Sequence, residues 1–171
     1  MKYQIELMTK DITNEYARIS TQSWVESYTG IIDNKFLDKI NTTEEINKMK
    51  NNLIENLNDD SKRFLLKVDN EYVGLFRIRK TKYEGYEDYG ELGALYLLNK
   101  AKKNRHGKIM FEYAKKELFK QGYRKMIIGC LDKNPTNDFY LHMGCEFVKT
   151  NPITIGKQNL VENIYILNID Y

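Results

Sequence analysis

Between Tyr89 and Cys130 the chain alternates between two backbone periodicities, and this stretch constrains its fold most. Tyr89 to Leu98 is the longest strand candidate. Lys100 to Arg105 is a basic loop. His106 to Gln121 carries helical periodicity and is stopped by Gly122, and Met126 to Cys130 is an apolar run short enough for a buried strand. Two strands joined through a helix lie parallel in one sheet, with a right-handed crossover.

The remaining pattern builds outward from this unit. Tyr3 to Thr9 reads as a first strand, and a helix runs from about Thr13 to Tyr28, ended by Gly30. Thr42-Thr43-Glu44-Glu45 resembles a capping box and opens a second helix reaching about Leu57. Arg63 to Val68 and Tyr72 to Arg79 form a hairpin across Asp69-Asn70-Glu71, with a polar loop from Thr81 to Asp88. Asn134 to Met143 is a short helix stopped by Gly144. Phe147 to Ile155 and Leu160 to Ile169 are strands joined around Gly156. The expected order is βααβββαβαββ, an α/β (α+β) chain with a mixed central sheet. With 171 residues it makes one domain, residues 1–171.

Composition narrows the function classes. Hydrophobic residues make up 42% and charged residues 30%, which suits a globular rather than a disordered chain. A net charge of +3, with basic residues gathered in one loop and no interleaved aromatics, argues against nucleic-acid binding. No run approaches the ~20 apolar residues of a membrane span, so no membrane partner is expected. Cys130 and Cys145 are too few for a disulfide framework and lack metal-site spacing. Reduced thiols, a cytoplasmic location and no metal are the expectation.

Chemistry concentrates in two segments. In ELGALYLLNKAKKNRHG, residues 91–107, a strand leads into a basic loop and a helix start. A helix N-terminus offers free N–H groups and the positive end of a dipole, which suits phosphate. Lys102, Lys103, Arg105 and Lys108 surround that terminus, and Gly107 permits close approach. A solvated basic loop beside an ordinary helix cap would use the same residues. In NPTNDFYLHMGCEF, residues 134–147, a Tyr140 hydroxyl on a short helix could give a proton to a leaving group, or Phe139 and Tyr140 could be core aromatics.

Together these segments resemble the GCN5-related N-acetyltransferase superfamily. ALYLLNKAKKNRHGKIMFEYA aligns without a gap to that family's acetyl-CoA segment, where an apolar triplet leads into Q/R-x-x-G-x-G/A and a helix. NPTNDFYLHMGCEF resembles its second motif, with Asn134 and Tyr140 in place and one residue fewer between them. SWVESYTGIIDNKFLDKI and ITIGKQNLVENIYIL resemble a bacterial subgroup. Two positions depart from the pattern: Lys102 stands where Gln or Arg is usual, and Arg105 where the first Gly is usual.

The resemblance implies a sheet splayed between the fourth and fifth strands. It implies acetyl-CoA as co-substrate, and direct transfer within a ternary complex to a primary amine of a small molecule or peptide. Leu95, Tyr96 and Leu97 would bind pantetheine, with the Leu97 N–H facing the thioester oxygen. Lys102, Lys103, Asn104, Arg105, His106, Gly107 and Lys108 would hold pyrophosphate, with Asn134 and Phe139 also on the cofactor. Tyr140 would be the general acid and Glu91 a general base, while Trp24 and Tyr28 would line the acceptor cleft. Glu26, Asp33, Glu84, Glu87 and Asp88 flank that cleft in the family and would favour a cationic acceptor. Family members often pair, so a homodimer is compatible. The alternative is a non-catalytic acyl-CoA-binding or sensing protein of the same fold, for which the altered phosphate loop speaks.

Overall fold

A computed structural model describes residues 2–170. The elements are β1 (Tyr3–Leu7), α1 (Thr13–Tyr28), α2 (Asn34–Ile40), α3 (Thr43–Glu55), β2 (Lys62–Val68), β3 (Glu71–Lys80), β4 (Gly90–Leu97), α4 (His106–Lys120), β5 (Lys125–Leu131), α5 (Thr136–His142), β6 (Glu146–Ile155) and β7 (Gln158–Asn168). They form one seven-stranded sheet in the order β1-β2-β3-β4-β5-β7-β6.

Local chemistry accounts for most of these boundaries. Thr42 caps α3 by accepting the Glu45 N–H at 3.3 Å. Asp69 and Asn70 both take positive φ, as a tight two-residue hairpin turn requires, and Val68 then faces Glu71. One element was not expected. Asp33 accepts the Lys35 N–H at 2.9 Å and opens the seven-residue α2, which buries Leu37. The expected order therefore gains a third helix before β2. Two turns carry too few apolar positions for periodicity to reveal.

The helices divide the core between two faces of the sheet. On one face, Met110, Phe111, Ala114 and Leu118 of α4 pack on Phe76, Leu92, Met126 and Ile128. On the other, Ala17 and Ile19 of α1 and Leu53 of α3 pack on Leu65 and Leu75. A third cluster joins Tyr28, Ile32 and Leu37 to Leu131 and the far end of the β6–β7 hairpin.

The sheet is open at its centre. Strands β4 and β5 pair in parallel only at Gly90↔Met126 and Glu91↔Ile127, although β4 runs on to Leu97 and β5 to Leu131. Gly93 is an extra residue in β4, because Ile78 faces Leu92 and the next residue back, Arg77, faces Ala94. Such a bulge bends its strand and sharpens the local twist. Beyond Glu91 the two strands diverge and leave backbone groups of β4 without a β5 partner.

Candidate active site

A cavity of about 690 Å³ occupies the opening between β4 and β5 and is lined from both faces of the sheet. On the α4 face its wall carries Lys102, Lys103, Arg105, His106, Gly107 and Lys108, then Asn134, Phe139 and Tyr140. Its floor is β4 from Leu92 to Leu97, with Gly129 and Cys130 of β5. On the α1 face it meets Ser27 and Tyr28.

The basic loop keeps glycine-type backbone without glycine. Lys103 and Arg105 sit at φ 78° and 60°, in the left-handed region, and Arg105 is the N-cap of α4. Arg105 thus adopts the conformation for which its usual Gly is suited. None of Lys102, Lys103, Arg105 and Lys108 is in an ion pair among the described residues, and all four are exposed. Four uncompensated cations beside a helix N-terminus form a strongly anion-attracting mouth. His106 is buried, and its Nδ1 donates to the Ala101 carbonyl at 2.9 Å, bracing the loop from inside. Asn104 is exposed and outside the cavity wall.

Tyr140 is 5% exposed and forms part of the wall. Burial pushes its hydroxyl well above the ordinary value of 10, so the phenol keeps its proton across the physiological range. Helix α5, which presents it, is pinned by Asn137. The Asn137 side-chain amide donates to the Leu131, Asp132 and Asn134 carbonyls at 2.8, 3.2 and 2.6 Å. Its Oδ1 accepts from Asn163 and the Tyr165 hydroxyl at 3.1 and 2.7 Å. Asn134 Oδ1 accepts the Thr136 N–H at 2.9 Å and shapes the turn into α5. Phe139 packs edge-on against Phe111 and lies across from Gly107.

Across the opening, the Tyr28 and Tyr96 hydroxyls share a hydrogen bond of 3.0 Å. Burial pushes the Tyr28 hydroxyl up to about 12 and Tyr96 well above 10. Trp24 is not part of the wall. It stacks edge-on to Tyr28 at 5.0 Å and touches Phe36, so it braces Tyr28 from behind. The Cys130 and Cys145 thiols are buried and pushed up to about 12, which leaves neither as a thiolate nucleophile near neutral pH.

Glu91, expected as a general base, stands apart. It is 2% exposed and not in the cavity wall. One oxygen pairs with Arg79 at 2.7 Å, and the other accepts the Lys82 N–H at 2.9 Å. These contacts fasten the start of the 81–89 loop onto β4, and the carboxylate lies outside the cavity wall. The acidic residues expected around the acceptor cleft are also used locally. Glu26 accepts the Asn99 N–H, Asp33 caps α2, Glu87 accepts the Gly85 N–H and Asp88 pairs with Lys125. Glu84 is exposed on the loop.

Gly129, Cys130, Ser27, Asn137 and Glu162 were not singled out from the sequence. A glycine inside the apolar run MIIGC is the one local signal among them, since it marks close approach in a strand. Among the described residues no group of three or more His, Cys, Asp or Glu could hold a metal, and no helix is long and apolar enough to cross a membrane.

Known proteins share this fold. The N-acetyltransferase YuaI of Bacillus subtilis (strain 168), whose function is uncharacterized, is 25% identical over 160 residues, covering 92% of this chain and 87% of its own. The PaiA N-acetyltransferase of Thermoplasma acidophilum, solved with coenzyme A, superposes with a TM-score of 0.76 at 18% identity, over 98% of this chain and 99% of its own. YncA of Salmonella typhimurium, a putative acetyltransferase solved with acetyl-CoA, gives 0.73 at 11% identity over 100% and 96%. The family model for the Acetyltransferase (GNAT) family matches residues 21–145, and the chain belongs to that family.

Proposed function

We propose that the protein transfers the acetyl group of acetyl-CoA directly to a primary amine of a small molecule or peptide, in the cytoplasm, where its two buried thiols would stay reduced. The observation that carries this reading is the single cavity lined from both faces of the sheet. It joins four uncompensated cations to a protonated, buried Tyr140.

The cofactor's pyrophosphate rests on the turn from Lys102 to Lys108, and pantetheine follows the free edge of β4 along Leu95, Tyr96 and Leu97. The Leu97 N–H faces the thioester oxygen and stabilises the negative charge that develops there. Held side by side, amine and thioester react as one unit. The amine nitrogen bonds to the carbonyl carbon, the C–S bond breaks, and Tyr140 gives its proton to the departing sulfur. The proton lost by the amine leaves through solvent, from which Tyr140 recovers its own. Tyr28 shapes the amine side of the opening. Glu91 acts as a positioning residue through its hold on the 81–89 loop, rather than as the general base that the family resemblance implied.

Tyr140→Phe tests the reading, because it keeps the ring and removes the donor. Turnover of an accepted amine should fall by about 10²–10⁴-fold while acetyl-CoA affinity stays constant. Unchanged turnover would remove Tyr140 from the reaction.

A further inference from the structure

A second buried carboxylate lies on the α1 face of the sheet, behind Gly129 and outside the cavity wall itself. Glu162 of β7 is 6% exposed and comes from a strand two places away from β4. Its Oε1 accepts from the Tyr83 hydroxyl at 3.1 Å and from the Asn151 side-chain amide at 3.0 Å. Its Oε2 accepts no hydrogen bond, and no cation lies within ion-pair distance of the carboxylate among the described residues.

Gly129 explains where that free oxygen points. Glu162 faces Leu131 in the β5–β7 ladder and Gly129 faces Ile164, so Glu162 and Gly129 are diagonal neighbours on one face. A Cβ on Gly129 would come within 2.6 Å of Glu162 Oε2 and 2.1 Å of the Tyr83 hydroxyl. The missing side chain is what lets the carboxylate lean over β5, and Gly129 is itself part of the cavity floor. A largely buried carboxylate with one oxygen held and the other open to solvent has no counter-charge beside it. A cation brought into the opening would supply the missing partner.

We propose that Glu162 receives the ammonium group of the acceptor at the α1-face mouth, with Tyr83 and Asn151 holding Oε1 so that Oε2 faces the incoming amine; the ammonium releases one proton to solvent there before the neutral nitrogen attacks the thioester. The inference rests on the transferase reading and names the feature that selects acceptors. Amines free of a carboxylate are favoured, and those carrying one are repelled. Glu91 contributes at one remove, because it anchors the Lys82 amide next to Tyr83.

The test compares wild type with Glu162→Gln, which is isosteric and keeps an oxygen for Tyr83 and Asn151. n-Butylamine and 4-aminobutanoate serve as acceptors with acetyl-CoA. The expected result is a rise of about 10- to 100-fold in the KM for n-butylamine, no change in the KM for acetyl-CoA, and loss of the preference for n-butylamine. An unchanged n-butylamine KM in Glu162→Gln overturns the inference and leaves the transferase reading standing. Wild type that binds acetyl-CoA yet acetylates neither these two nor any of a broad panel of primary amines sinks the transferase reading. Calorimetry of n-butylamine on the CoA-bound protein then decides Glu162 separately. Binding in wild type that is lost in Glu162→Gln upholds the inference, and equal or absent binding overturns it.

Discussion

The two mouths of the cavity are built on different plans. The α4-face mouth takes its cations from one short stretch, Lys102 to Lys108, where Lys102, Lys103, Arg105 and Lys108 are exposed and in no ion pair among the described residues. The α1-face mouth is assembled from Ser27 and Tyr28 on α1, Gly129 on β5 and, behind it, Tyr83 on a loop and Glu162 on β7. Its polar groups are mostly buried and bonded to one another. A contiguous, charge-dominated mouth suits a ligand common to a whole family. A mouth assembled from distant segments can change one residue at a time without disturbing the other side.

Removing the charges of the first mouth should separate the two most sharply. Replacing Lys102, Lys103, Arg105 and Lys108 together by Ala should raise the acetyl-CoA Kd by about 10²–10³-fold, since exposed charge contacts contribute up to about 1 kcal/mol each. Isothermal calorimetry checks this, and an unchanged Kd would place the phosphates elsewhere. Acceptor KM at saturating acetyl-CoA should hold, because none of the four lies on the α1 face.

The zone between the mouths responds to pH instead. Folding raises the Cys130 and Cys145 thiols from 9.0 to about 12 and holds Tyr96 and Tyr140 well above 10. The folded state therefore binds more protons than the unfolded chain above about pH 9. Stability should be full below that pH and fall between about pH 9 and 12, by up to about 1.4 kcal/mol per pH unit for each such group. Denaturant titration at pH 8 and pH 10.5 measures the loss. A flat profile would mean these groups are not buried as described. Turnover should show no alkaline fall attributable to Tyr140 below about pH 10.

Asn137 ties α5 to the end of β5 and to β7, and its loss should cost about 2–3 kcal/mol, because Asn137→Ala strips the bonds to three backbone carbonyls and two side chains. Turnover should drop further than acetyl-CoA affinity, since α5 aims Tyr140. Equal stability in urea would contradict this. The smallest effect is expected at Arg105. Arg105→Gly relieves a left-handed φ and should stabilise the fold by no more than about 1 kcal/mol, while weakening acetyl-CoA by the loss of one cation. A gain in affinity would show that the side chain obstructs phosphate.

The same contrast decides what could be read from the sequence. The basic loop and the helix it opens are contiguous, and Tyr140 sits in a short segment of its own, residues 134–147, so the chemistry of each is visible as a motif. Periodicity placed α1 at Thr13–Tyr28 and each strand within about two residues. Helix α2 escaped because a two-turn helix with one buried leucine has no measurable period. Glu91 sits on the expected strand, yet which partner its carboxylate meets depends on Arg79 and on the fold of the 81–89 loop. Glu162 escaped because nothing local in LVENIYI marks one glutamate of a hairpin strand. Its position over Gly129 arises only when β7 pairs with β5.

The central claim is that donor and acceptor meet in one cavity and react directly. Initial rates of CoA release over a grid of acetyl-CoA and amine concentrations, with intact-protein mass measured during turnover, test it most directly. The account predicts intersecting double-reciprocal lines, amine-dependent release of CoA and no acetyl-protein intermediate. Parallel lines with an acetylated protein would contradict direct transfer, and CoA release no faster than background across primary amines would contradict the transferase itself.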